Sequence, residues 1–518
     1  MADRAKESPK SMDFPKLLNG VLAEQFSETH LPVLQSLTNA LRLQDYRDHS
    51  EEETFRNLLK ILSKLSEVIQ AAGGEVKEVI LQLTTECFRA QRNGCVQCAR
   101  NQSLLRSLGS IDLSIRILDM LLRLKSENIE NVLEALRCGI QFIGNLAVDN
   151  QFCKDDIWRL VFPDLLLALL CLEDARTVGY SSMVLHTCLN GLKVEQLAQP
   201  GNIHMALKVM DLCRTPELDW PVLIATQHFL KSSVMVENMY ADMSHQERVT
   251  LLELISAQLG EENFEDSGIS PTVAGFLASC FHECCGAVLT LASGSDDEEA
   301  LTVISLLDVL CEMTSDHKQF MFLQNHPDLL NSTVGLLQQV HALGKTSKNV
   351  FTAAQNFSLA QGGDCSSSPA VSFKAHLIRL IGNLCHGNAA NQNKVRDLDC
   401  LPLIMDNCSI DSNNPCTMSG CLFTRSQAIH LSLTVPFTFK GRTCTSLLTA
   451  EQTLLCSVIS QWAIFAIRNI LEHNLENQEV VAALKRQGVA DDSALRAMGF
   501  RLEERDGNLL LKPCSKDP

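Results

Sequence analysis

The sequence predicts an all-α fold, an armadillo- or HEAT-like α-solenoid, with a small C-terminal β-hairpin expected at its end. Three observations carry the prediction. The chain of 518 residues is 46% hydrophobic but only 5% aromatic, and its apolar content is dominated by Leu, which favours helices over sandwiches. A landmark recurs: an apolar helical stripe, then Asn, then seven residues, then Asn-Gln. It reads Asn93 with Asn101-Gln102, Asn383 with Asn391-Gln392 and Asn469 with Asn477-Gln478, and in shortened form Asn145 with Asn150-Gln151. Finally, Pro-Asp-Leu-Leu occurs at 163–166 and 327–330, about four units of forty residues apart, the length of an armadillo or HEAT repeat.

Each part of the unit has a local reason. Phe373, Leu377, Leu380, Ile381 and Leu384 follow i, i+4, i+7, i+8, i+11, one face of a helix. Asn101, Asn391 and Asn477 precede apolar runs and are expected as helix caps. Pro163, Pro327 and Pro402 suit a first helical turn, where the missing N–H costs nothing. No unit buries its own apolar faces, so neighbours must stack.

The reading divides the chain into a disordered N-terminus (1–13), N-terminal repeats (14–260), a partly polar connector with one helix (261–299), and a repeat (300–343). A flexible Ser/Gly/Gln-rich loop (344–372) follows, then C-terminal repeats (373–415 and 459–499) and a hairpin with tail (500–518). The acidic connector Gly294–Glu299 would place carboxylates at the start of a helix beginning near Ala300, where the macrodipole favours them. Asp506-Gly507 between two alternating runs gives the hairpin. Asn383 and Asn469 lie two repeat lengths apart, and the intervening Cys416–Val458 is rich in Thr, Ser and Cys with Glu451 its one acidic residue. We read it as an insertion, the alternative being a degenerate repeat.

Charge and motifs exclude much. The net charge of −17 argues against nucleic acid or anionic membrane as partner. The polar start lacks a secretory signal, and Leu160–Leu172, the longest apolar stretch, is too short to span a bilayer. These features place the protein in the cytoplasm with no membrane insertion. The 21 cysteines, such as Cys87, Cys138, Cys171 and Cys311, read as buried reduced thiols. Gly344-Lys345-Thr346 lacks the upstream Gly of a phosphate loop, since position 339 is Gln. Cys95 and Cys98 have no second pair, and His282 points away from Cys280 and Cys284 on a helix. No catalytic, cofactor or metal residues are assigned, and no enzyme activity is expected.

Several strings resemble the ataxin-10 family: 83–89 (LTTECFR), 137–145 (RCGIQFIGN), 246–252 (QERVTLL), 306–314 (LLDVLCEMT), 376–385 (HLIRLIGNLC) and 464–469 (IFAIRN). The resemblance covers roughly 15–415 and 459–513 and fails over 416–458. It implies an armadillo-like solenoid without catalysis, cytoplasmic and perinuclear, also at centrosome, basal body and midbody. It further implies roles in neuron survival, neurite outgrowth and cytokinesis. The implied partners are further copies of itself, a G-protein β subunit, the O-linked N-acetylglucosamine transferase and mitotic kinases.

A protein–protein scaffold is therefore expected, with Asn93, Asn145, Asn383 and Asn469 as candidate concave-surface residues whose amides would bind an extended peptide. The structural alternative is that these amides bond neighbouring helices and hold the repeats together. An importin-α-like cargo adaptor is disfavoured. That class places Trp four residues before the ladder Asn, and here those positions hold Arg89, Gln141, Arg379 and Phe465.

Overall fold

The computed structural model describes residues 12–72, 76–124, 129–260, 268–293, 297–315, 318–346, 349–351, 372–407, 458–484, 500–505 and 508–513. The first eleven residues, most of the Ser/Gly/Gln-rich loop and all of Cys416–Val458 but its last residue lie outside the described residues. The chain divides into two compact units between Met243 and Ser244.

The N-terminal unit contains α1 (Phe14–Ala23), α2 (Leu31–Ala40), α3 (Gln44–Asp48), α4 (Glu52–Ala71), α5 (Glu78–Cys95), α6 (Ala99–Ser107), α7 (Ser110–Arg123) and α8 (Ile129–Ala147). It continues with α9 (Gln151–Val161), α10 (Asp164–Leu170), α11 (Ala175–Cys188), α12 (Gly191–Leu197), α13 (Ile203–Leu212), α14 (Asp219–Gln227) and α15 (Ser233–Asp242). Helices α2, α5, α8, α11 and α14 pack one on the next as a continuous layer, which we call the ladder helices. Behind them α1, α4 and α7 pack in sequence, and α10 packs on α13. Phe14, Phe55, Phe88, Phe142 and Phe229 are fully buried between these layers. This is the continuous core that a stacked repeat requires.

The C-terminal unit contains α16 (His245–Leu259), α17 (Pro271–Cys284), α18 (Glu298–Met313), α19 (Leu329–Thr346), α20 (Phe373–Cys385), α21 (Ala389–Asp397), α22 (Cys400–Asp406), α23 (Val458–Leu471) and α24 (Leu475–Ala483). Its ladder is α16, α18, α20 and α23. The predicted stripe of α20 is wholly buried, from Phe373 to Leu384. Gly382 lets α23 approach closely: a Cβ there would lie 2.9 Å from the Ala466 Cα. Strands β1 (Phe500–Arg505) and β2 (Asn508–Pro513) pair antiparallel, with Phe500 opposite Pro513.

The all-α, solenoid-like reading holds in both units, and several local expectations need correction. The prolines do not share one position: Pro163 immediately precedes α10, Pro327 lies two residues before α19, and Pro402 is inside the first turn of α22. The acidic start of α18 falls at Glu298, with Asp297 as its cap accepting from the Glu299 N–H at 2.9 Å. Gly344-Lys345-Thr346 ends α19 as helix. Cys87, Cys138 and Cys311 are buried, but Cys171 is exposed because α10 ends just before it. Among the described residues one segment, Pro271–Ser293, is long and apolar enough to cross a membrane, with a mean hydropathy of 1.4. It outranks Leu160–Leu172 in this respect. Within its unit, α17 turns Val273, Leu277 and Phe281 inward against α18 and α19.

Candidate functional site

The four candidate asparagines sit near the C-terminal ends of α5 and α8 in one unit and of α20 and α23 in the other, and their amides point back to the preceding helix of each ladder. Asn93 Nδ2 donates to the Thr38 carbonyl at 3.0 Å, Asn145 to Arg92 at 3.1 Å, Asn383 to Cys311 at 3.1 Å and Asn469 to Gly382 at 3.0 Å. Where the preceding ladder helix has its own Asn, the acceptor is the residue just before that Asn: Arg92 precedes Asn93, and Gly382 precedes Asn383. Asn93, Asn383 and Asn469 are 7%, 4% and 3% exposed, and Asn145 is half-buried. As arranged, these amides join repeat to repeat, and three of the four are withdrawn from the surface.

The Asn-Gln pairs complete the joint. Asn101 Nδ2 donates to Arg47 O and Gly94 O, both at 2.9 Å. Asn391 does the same to Gln324 O at 2.7 Å and Leu384 O at 2.8 Å, and Asn477 to Gln392 O at 3.0 Å and Ile470 O at 3.1 Å. These three are therefore not the helix caps the sequence led us to expect. In α21 and α24 the caps are Asn388 and Asn474, three residues earlier, accepting from the Asn391 and Asn477 N–H groups. The eight-residue spacing is what lets the second Asn reach the carbonyl that follows the first. In the shortened copy the spacing is lost, and Asn150 is a cap on α9. The glutamines reach forward: Gln102 donates to the Asn145 carbonyl at 2.8 Å and Gln392 to that of Asn469 at 2.8 Å. Gln324 does the same to Asn383 at 3.1 Å, from a sequence lacking the preceding Asn, so the landmark did not reveal it.

A polar groove of about 480 Å³ opens on the face of α2, α5, α8 and α11. Its floor is an ion-pair network. Glu86 is buried, accepts from Thr38 Oγ1 at 3.1 Å and pairs with Arg89 at 2.6 Å. Arg89 also bridges to Glu134 on the next ladder helix. Arg137, itself buried, pairs with Glu130 and Asp174, each at 2.7 Å. Hydrogen bonds from Arg137, then from Thr177, hold the Asp174 carboxyl well below the usual carboxylate range. Partial burial opposes ionisation of Glu134, but the hydrogen bonds from Arg89 and Arg137 outweigh it and lower its pKa. Among the described residues, Arg42 and Arg176 at the groove rim make no ion pair, and Arg92 donates only to amide oxygens, those of Asn93 and Gln141. Sequence reasoning missed this groove, since its arginines come from separate repeats. The signal available was Arg89 and Gln141 at equivalent positions before the ladder asparagines.

At the equivalent place in the C-terminal unit, Arg379 donates to Glu312 at 2.8 Å and to Ser315 Oγ at 2.8 Å. Its guanidinium lies 4.8 Å from the centre of the Trp462 ring. His282 Nδ1 bonds Ser332 Oγ at 2.6 Å, away from the neighbouring cysteines. Burial pushes the Cys280 thiol up to about 12 and Cys284 up to about 11, which keeps both protonated and poor as ligands or nucleophiles. Among the described residues no three His, Cys, Asp or Glu side chains converge as a metal site.

Comparison with known proteins shows the family. The family model described as the spinocerebellar ataxia type 10 protein domain matches residues 373–424 and 455–512, so its match breaks inside Cys416–Val458. Ataxin-10 of Xenopus tropicalis is 41% identical over 497 residues, covering 94% of this chain and 93% of that protein. Ataxin-10 of Bos taurus is 39% identical over 499 residues, covering 94% and 95%. Ataxin-10 of Homo sapiens is 36% identical over 515 residues, covering 97% and 98%. With such identity along nearly the whole length, the chain belongs to the ataxin-10 family.

Proposed function

We propose that the chain is a non-enzymatic protein–protein interaction scaffold. The observation that carries this is the open, polar groove along four ladder helices, a surface suited to an extended chain, in which burial pushes up the pKa of the Cys138 thiol beside Glu134 and so keeps it a poor nucleophile. The family resemblance adds the setting: cytoplasmic and perinuclear, at centrosome, basal body and midbody, supporting neuron survival, neurite outgrowth and cytokinesis. It also adds the partners: a G-protein β subunit, the O-linked N-acetylglucosamine transferase and mitotic kinases. Self-association has a second support, since the matched family model is named for homo-association. Affinity purification of the full chain from cytosol tests the reading. Recovery of signalling or centrosomal proteins is expected, and recovery of basic nuclear cargo would turn it toward the cargo-adaptor class. Against that class stands the charge of the groove: Arg89 and Gln141 occupy positions where stacked Trp would hold Lys stems, and a cationic surface repels basic peptides.

A further inference from the structure

We propose that the groove across α2, α5, α8 and α11 receives an extended acidic peptide segment of a partner protein. The inference rests on the scaffold reading and deepens it by naming the ligand chemistry. Charge bookkeeping within the groove is the first argument. Arg89 and Arg137 are more than matched, two guanidinium groups against the four carboxylates of Glu86, Glu134, Glu130 and Asp174. Arg42 and Arg176 have no carboxylate partner among the described residues, and the hydrogen bonds of Arg92 go to neutral amides. The five arginines therefore outnumber these four carboxylates by one, and the three guanidinium groups without a carboxylate partner stand together on one face of a chain whose net charge is −17. Cations gathered in a partly enclosed surface attract anions strongly, and planar guanidinium suits bidentate pairing with carboxylates.

Backbone recognition is the second argument. Asn39 of α2 occupies the ladder position, since the Thr38 carbonyl just before it takes the Asn93 amide. Among the described residues no earlier ladder helix packs on α2, and the Asn39 side chain is exposed in the groove without a hydrogen-bond partner. An amide left with both donors and an acceptor is suited to an extended peptide's N–H and C=O. Size is the third. Neighbouring helices pack about 9–10 Å apart, so four span about 30 Å, the length of about nine extended residues at ~3.3 Å each. A single small anion would use one end of this surface, whereas a peptide with spaced carboxylates reaches from Arg42 through Arg92 to Arg176.

Fluorescence anisotropy on the full chain tests the proposal. The probe is a labelled peptide of about nine residues alternating Glu and Ser, compared with its Gln-for-Glu counterpart and an oligothymidylate of similar length. The Glu peptide should bind at least about tenfold tighter than the Gln peptide and lose most of its affinity as salt rises from about 50 to about 300 mM. Arg42→Glu with Arg176→Glu should weaken it by about tenfold or more with an unchanged melting temperature, because neither arginine holds another element in place. Arg92→Gln should weaken it less. Equal binding of the two peptides, unaltered binding by the double variant, or tighter binding of the oligothymidylate would overturn the proposal. The double variant is also carried through the cytosolic purification. If it recovers the same proteins as the unaltered chain, the scaffold stands and the groove assignment fails; if the unaltered chain recovers none, the scaffold reading itself fails.

Discussion

Replacing Asn383 with Ala separates a joint between repeats from a ligand-binding group. The side chain is 4% exposed. Its Nδ2 donates to Cys311 O at 3.1 Å, Thr314 Oγ1 at 3.0 Å and Ser315 Oγ at 3.3 Å. The truncation strands no acceptor. The Cys311 carbonyl keeps the Ser315 hydroxyl at 2.8 Å, and the Thr314 hydroxyl keeps its bond to Leu310 O at 2.7 Å. The loss is therefore that of made bonds rather than of orphaned groups. Two bonds of good length at about 1 kcal/mol each, with little from the third, give about 2 kcal/mol. For a unit of this size that corresponds to a fall of about 4–8 °C in melting temperature, read by circular dichroism as loss of helix. Asn39→Ala, at the exposed ladder position, should stay within about 0.5 kcal/mol of the parent. An Asn383→Ala variant that melts like the parent while partner binding weakens would refute the role of Asn383 as a joint.

Two further outcomes follow from named contacts. The string Ile-Gly-Asn-Leu occurs in α8 and α20, yet its two glycines should respond oppositely to alanine. At Gly382 the new Cβ meets the Ala466 backbone at 2.9 Å, so α23 must shift and about 1–2 kcal/mol is lost after the gain in helix propensity. At Gly144 the obstacle is the Met183 Cε at 2.6 Å, the free end of a flexible side chain, so the variant should be neutral or gain up to about 1 kcal/mol. Urea midpoints decide, and equal losses would refute the distinction. Acid should weaken the N-terminal unit in two stages. Burial, then the charges of His186 and Lys231, pushes His228 down to about 4, so the native state resists a proton that the unfolded chain accepts near pH 6.5. Stability is full above about 6.5 and declines as pH falls toward about 4. Below that range Asp174, depressed by its Arg137 bonds, must be protonated and the α8–α11 pairing is lost. His228→Gln should flatten the first stage in thermal melts between pH 7 and 4.5, and an unchanged slope would refute its assignment.

The sequence by itself determined what depends on neighbours along the chain. Helical period, repeat length, the buried stripe of α20 and the equivalence of the Asn landmarks all follow from spacings of a few residues, and the chain folds locally as those spacings require. Tertiary structure alone decided what the polar side chains do. An asparagine amide serves equally as cap, peptide ligand or joint between helices, because its donors and acceptor are the same in each role. What selects the role is which carbonyl lies within about 3 Å, and for Asn93 and Asn145 that carbonyl belongs to a residue some fifty positions earlier. The groove has the same origin. Nothing near Arg42, Arg92 or Arg176 marks them as a group, and Arg137 finds Asp174 across 37 residues. Stacking places residues about one repeat apart side by side, so the charges that remain unmatched are set by the stack and not by the local sequence.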